Sequence, residues 1–253
     1  VLRQAGFHVN FVLVHGAWHG AWCWNRLIPE LQTLGHEAVT PDLPGLGDDP
    51  TPAGSVVLED YANRIAQVLD AQPEPSILVG HSMGGMAISA AAELRPARIR
   101  RLVYLCAFLP RDGESLLMLE ELNADPRVPP NITPDKDNCT AMINLDAVEE
   151  LFYRDCSAQD VAFAKSQLRP QSFLPLKAPV KLTERNFGRV PRSYIECTAD
   201  RALVIDFQRL MQRRSGCEGV VTLDTGHSPF LSAPQALAQA LSKLAAEPTN
   251  TTS

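Results

Sequence analysis

The chain has 253 residues, 45% of them hydrophobic and 21% charged, and a formal net charge of -6. That is enough apolar material for one large core and fits a single domain over 1–253. No basic run is present to grip nucleic acid, and no apolar stretch approaches the ~20 residues that span a bilayer.

Residues 1–6 are too short and polar for a secretory signal, although a processed one would leave no trace. Residues 7–14 are apolar with β-branched side chains, which predicts a central strand. It runs into His15-Gly16-Ala17-Trp18-His19-Gly20. Gly16 there allows close backbone approach, and His15 and His19 are expected to hydrogen-bond locally. Over 22–34, Trp24, Leu27, Ile28, Leu31 and Leu34 recur at helical spacing until Gly35 stops the helix. A strand is predicted over 38–43, then a turn-rich loop over 44–50. Asp42 and Asp48 sit where that strand meets the loop, a place for structural hydrogen bonds. A helix over 57–69 turns Tyr61, Ile65, Val68 and Leu69 inward.

Ile77-Leu78-Val79 then enters Gly80-His81-Ser82-Met83-Gly84, with helix formers over 86–94. Strand, abrupt turn and helix make this Gly-x-Ser-x-Gly a nucleophile elbow rather than a chance match. Gly80 and Gly84 leave room where side chains would collide, and the following helix aims its positive end at Ser82. The Met83 N–H is placed to bind a developing oxyanion, with the Ala17 N–H as the second donor. Another strand is predicted over 99–108. The β–α alternation so far argues for a mostly parallel, doubly wound α/β sheet.

From 109 to 186 the texture changes, with prolines at 110, 126, 129, 130, 134, 170, 175 and 179. Short amphipathic segments lie at 114–123, 145–153 and 158–168, and no stretch resembles a core strand. This predicts a mainly helical cap, 109–186, inserted in a core of 1–108 and 187–253. Most of its apolar residues should pack within the cap; Phe152 and Phe173, with Trp18 and His19 from the core, are expected to line the substrate site. The core resumes with strands at 192–198 and 220–223, helices at 205–211 and 234–244, and a polar tail at 247–253.

A serine hydroxyl needs a base, and the base needs an orienting carboxylate. In this architecture the chain order is Ser, acid, His. His227 follows the last predicted strand and Asp200 the one before it, so both fall at the sheet edge where open α/β folds bind ligands. Asp224 is the rival acid, but it lies only three residues from His227. The expected triad is Ser82, Asp200 and His227, acting on a small-molecule ester without metal or other cofactor.

On these pieces the chain resembles the α/β-hydrolase superfamily, and within it the salicylate-binding methyl esterase and hydroxynitrile lyase family. The matching stretches are residues 11–20, 78–85, Leu168-Arg169-Pro170, 194–200 and Phe207-Gln208-Arg209, and the poorest match is 111–144. The resemblance carries the nucleophile onto Ser82, the acid onto Asp200, the base onto His227 and the oxyanion donors onto Ala17 and Met83. Hydroxynitrile lyases of this family carry lysine directly after the histidine, where this chain has Ser228, and favour threonine where it has Ala17. Both departures favour ester hydrolysis, with cyanohydrin lysis, lactone opening or a small-molecule receptor as alternatives. Six scattered cysteines without a Cys-x-x-Cys pair point to a reducing, cytoplasmic compartment. Two Asn-x-Thr sequences, at Asn131 and Asn138, matter only in a secreted eukaryotic protein. A homodimer is carried as an open expectation.

Overall fold

The apolar runs of the core become parallel strands joined by helices. A computed structural model describes residues 8–248. In chain order it contains β1 (Asn10–Val14), α1 (Leu27–Thr33), β2 (Glu37–Val39), α2 (Leu58–Asp70), β3 (Ser76–His81), α3 (Gly84–Leu94) and β4 (Ile99–Leu105). Then come α4 (Leu116–Glu120), β5 (Ile132–Asp135), β6 (Thr140–Ile143), α5 (Val148–Phe152), α6 (Ala158–Gln167), β7 (Gln171–Ser172) and α7 (Leu174–Lys177). The core closes with β8 (Arg192–Cys197), α8 (Ile205–Ser215), β9 (Gly219–Leu223), α9 (Pro229–Ser232) and α10 (Pro234–Ala246).

One six-stranded sheet has the order β2-β1-β3-β4-β8-β9, and every neighbouring pair is parallel. Leu78 of β3 pairs with Val12 on one side and Leu102 on the other. Parallel neighbours need crossover helices, and these cover the sheet, α1 packing against α10 and α2 against α3. All of β3 is buried as a result, which accounts for its apolar run. The chain order jumps from β4 to β8, and the cap occupies that jump. At its base the Gly113 N–H donates to the Val180 carbonyl and the Val180 N–H to the Glu114 carbonyl, both at 2.9 Å.

Three predicted elements come out differently. The helix expected over 22–34 splits into a 3-10 turn, Ala21–Trp24, and α1. Pro29 has no N–H to donate, so it fits only the first turn of a helix, and α1 starts two residues before it. Leu34 falls at the C-cap and is exposed instead of facing inward. The strand expected over 38–43 ends at Val39, since Pro41 cannot donate a ladder bond. The cap holds, besides its helices, a small antiparallel sheet β5-β6-β7. Its strands are two to four residues long and include Pro134, too short to show an alternating pattern.

Among the described residues no helix is long and apolar enough to cross a membrane. All six cysteines are free, with Cys106 and Cys197 buried as expected. Phe7, residues 1–6 and the tail from 249 onward lie outside the described residues.

Candidate active site

β3 delivers Ser82 to the carboxyl edge of the sheet. Ser82 has φ +54°, a left-handed conformation that a non-glycine residue holds only against about 1–3 kcal/mol of strain. The surrounding backbone fixes it there. Its N–H donates to Leu105 O at 3.3 Å, and its carbonyl accepts from Gly85 at 3.0 Å and Phe108 at 3.1 Å. The two motif glycines make the turn passable. A Cβ on Gly80 would lie 2.7 Å from the Gly84 carbonyl oxygen, and one on Gly84 2.8 Å from the Val14 and His15 carbonyls. Met83 follows as the N-cap of α3.

His227 lies in the loop after β9 and Asp200 in the loop after β8, 2% and 4% exposed. His227 Nδ1 donates to Asp200 Oδ2 at 2.8 Å. That bond sets the neutral tautomer and leaves Nε2 with its lone pair. Asp200 Oδ1 accepts from the Ala202 and Leu203 N–H groups at 2.7 and 2.9 Å, and Oδ2 from Gln208 Nε2 at 3.3 Å. Gln208 is itself buried, taking the Cys197 N–H on its oxygen and giving its amide to Leu203 O. His81, buried beneath, donates from Nε2 to the His227 carbonyl at 2.8 Å. Burial holds the His81 ring neutral by pushing its pKa well below the usual histidine value. The rival acid, Asp224, is exposed and accepts from Thr198 Oγ1 at 2.8 Å.

The turn after β1 is bound from both sides. His15 Nδ1 donates to the Gly16 carbonyl, and its Nε2 accepts from the Leu43 N–H. His19 Nδ1 donates to the Ala17 carbonyl at 2.7 Å, and its Nε2 accepts from the Tyr153 hydroxyl at 2.7 Å. Each histidine thus bonds a carbonyl of its own turn and reaches one partner distant in sequence, Leu43 for His15 and Tyr153 for His19. Burial lowers the His19 pKa to about 3. Trp18, at φ +63°, donates from Nε1 to Ala141 O at 3.0 Å, accepts the Arg169 N–H on its carbonyl, and stacks on Phe152. Ala141, Phe152, Tyr153 and Arg169 all belong to the cap. Asp42 ties down the following loop, accepting from Ala21 and Asp48 N–H groups.

A cavity of about 270 Å³ opens above Ser82. Ala17, Trp18, Met83, Phe152 and Phe173 are among the residues that line it. His19 does not; it lies behind the wall, within ring contact of Trp22, Phe152 and Tyr153. Sequence reading missed Phe108, expected at the end of a strand that in fact stops at Leu105, Leu203 on a loop without a pattern, and Leu116, Leu117 and Glu120 from α4. It also gave no role to Gln208, whose signal was a glutamine between Phe207 and Met211 on the buried face of α8. Among the described residues one grouping has metal-ligand spacing: His81, Cys106 and His227, with donor atoms within 4.8 Å. Burial raises the Cys106 thiol far above its ordinary pKa, and His81 Nε2 and His227 Nδ1 are already hydrogen-bonded, so the grouping is a poor metal site.

The alpha/beta hydrolase family matches residues 11–240 of the chain. A putative chloroplastic methylesterase 14 of Arabidopsis thaliana is 34% identical over 252 residues, covering 94% of this chain and 72% of that protein. An alpha-hydroxynitrile lyase of Arabidopsis thaliana is 32% identical over 251 residues, covering 94% and 97%. The crystal structure of a polyneuridine aldehyde esterase superposes with a TM-score of 0.84 at 27% identity, covering 94% of this chain and 99% of that one.

Proposed function

The chain belongs to the alpha/beta hydrolase family, and from that premise we propose that it is a serine carboxylesterase acting on small apolar esters. The observations that carry this are the strained Ser82 lining an apolar cavity and the buried, hydrogen-bonded His227–Asp200 pair. Ser82 Oγ attacks the ester carbonyl while His227 Nε2 takes its proton. Asp200 holds the ring and stabilises the imidazolium. The Ala17 and Met83 N–H groups bind the oxyanion. His227 then gives its proton to the leaving alcohol, an acyl-enzyme remains, and His227 activates water to release the acid.

Several features support this reading. Four hydrogen bonds to Asp200 keep its oxygens aimed, so His227 presents Nε2 with a free lone pair. The cavity volume suits a small acyl or alkyl group. Cyanohydrin lysis is disfavoured because Ser228, buried next to His227, brings no cation for a leaving cyanide. The cap, 109–186, acts as the lid that limits water, and six free thiols favour a cytoplasmic setting. The test is multiple-turnover hydrolysis of a panel of p-nitrophenyl and methyl esters, with turnovers counted per Ser82 labelled by a fluorophosphonate. Fewer than about one turnover per hour, against the ~1–10³ s⁻¹ usual for enzymes, would replace the esterase by a ligand receptor.

A further inference from the structure

The cavity above Ser82 has a wall of apolar and aromatic side chains with one charged exception, Glu120 at the end of α4. Its Oε1 accepts from Asn123 Nδ2 at 3.0 Å. Asn123 is buried and held in turn, its Oδ1 accepting the Asp125 N–H at 3.1 Å. One carboxylate oxygen is therefore anchored. Among the described residues no lysine, arginine or histidine pairs with Glu120.

A carboxylate on an apolar wall is costly unless something pairs with it. Burial accordingly raises the Glu120 pKa above the ordinary glutamate value, opposed by the Asn123 bond. A purely hydrocarbon ester would strip water from Glu120 and return nothing. A cation would gain the free oxygen, and the aromatic rings of Trp18 and Phe152, which also line the cavity, favour positive charge.

We propose that Glu120 is a specificity-determining residue that, among small esters with otherwise apolar groups, selects those carrying a protonated amine on the portion that fills this cavity. The catalytic consequence rests on the ester-hydrolase reading above; the binding preference does not. Binding is therefore measured by calorimetry on Ser82→Ala, where no turnover is needed. The probes are 4-methylbenzylammonium and its neutral match, 4-methylbenzyl alcohol, at about pH 8, where the amine stays charged. The ammonium should bind at least about tenfold more tightly, as expected of a charge-assisted hydrogen bond. Adding Glu120→Gln, which keeps an oxygen for Asn123, should bring the two probes within about twofold. Lower pH should weaken only the ammonium, as Glu120 takes a proton.

Equal binding of the two probes, no ammonium binding, or a preference that survives Glu120→Gln would each overturn the proposal. In the active protein, kcat/KM for methyl 4-(aminomethyl)phenylacetate over methyl 4-ethylphenylacetate should fall with Glu120→Gln. Failure of both esters to turn over would count against the esterase reading alone.

Discussion

Asp200→Asn should cripple turnover while Asp224→Asn leaves it nearly intact. Four donors converge on Asp200: the N–H groups of Ala202 and Leu203 on one oxygen, Gln208 Nε2 and His227 Nδ1 on the other. Asparagine offers one oxygen and one NH2. If the oxygen stays on Ala202 and Leu203, the NH2 faces Gln208 and His227. The imidazole can then keep a bond only by accepting on Nδ1, which moves its proton to Nε2, the atom that must receive one from Ser82. Flipping the amide rescues the tautomer but turns an NH2 against two backbone donors. The cost in kcat should be about 10³–10⁴-fold, as expected when a triad histidine is held in the wrong tautomer. Stability should fall by about 1–3 kcal/mol, the penalty of one buried unsatisfied group. Asp224 is exposed with a single hydroxyl partner, so its substitution should stay within about 0.5 kcal/mol. The assay is kcat and KM on p-nitrophenyl acetate, with thermal melts to confirm that both variants fold. If Asp224→Asn cost as much as Asp200→Asn, or if Asp200→Asn kept more than about a tenth of wild-type kcat, the assignment of the acid would be wrong.

Three further outcomes are expected. Ser82→Ala should abolish hydrolysis and labelling, and Ser82→Gly should do the same yet melt higher than Ser82→Ala, because glycine relieves the φ +54° strain of about 1–3 kcal/mol; equal melting would remove the strain from the account. Lowering pH should destabilise the fold between the ordinary histidine value near 6.5 and about 3, because His19 stays neutral when folded but takes a proton when unfolded. Within the window the slope from that group is at most about 1.4 kcal/mol per pH unit; its stability contribution is present in full above the window and lost as pH falls through it, and His19→Gln should reduce the slope in denaturant titrations at several pH values. Mandelonitrile should release cyanide no faster with the protein than without it, since Ser228 supplies no cation; release that disappears in Ser82→Ala would contradict this.

The succession of core strands and helices along the chain, and the position of Ser82, Asp200 and His227 after the carboxyl ends of their strands, were legible because they depend on local signals. Ile77-Leu78-Val79 had to be buried on both faces, and Gly80 and Gly84 had to bracket a tight turn. Where reading failed, a longer-range cause was at work. Pro29 limited α1 through a missing donor, outweighing a helical apolar pattern that looked continuous from residue 22. The cap strands are defined by their partners rather than by their own two to four residues. His19 looked like a substrate contact because it sits in the turn next to Ala17, yet Tyr153, 134 residues away, determines that its ring faces the cap. Glu120 could not be singled out among 29 acidic residues until α4 was seen on the cavity wall.

Trp18 and His19 fasten the turn after β1 to the cap through Ala141, Arg169 and Tyr153. An outward swing of the cap on that side would tear the very backbone that presents the Ala17 N–H. The partly exposed lining residues include Leu117, Val128, Pro129, Ile132 and Pro134, and Pro134 pairs in register with the anchored Ala141. The strand over Ile132–Asp135 and the turn that carries Ala17 are therefore linked through Ala141 and Trp18, so a shift of one is felt by the other.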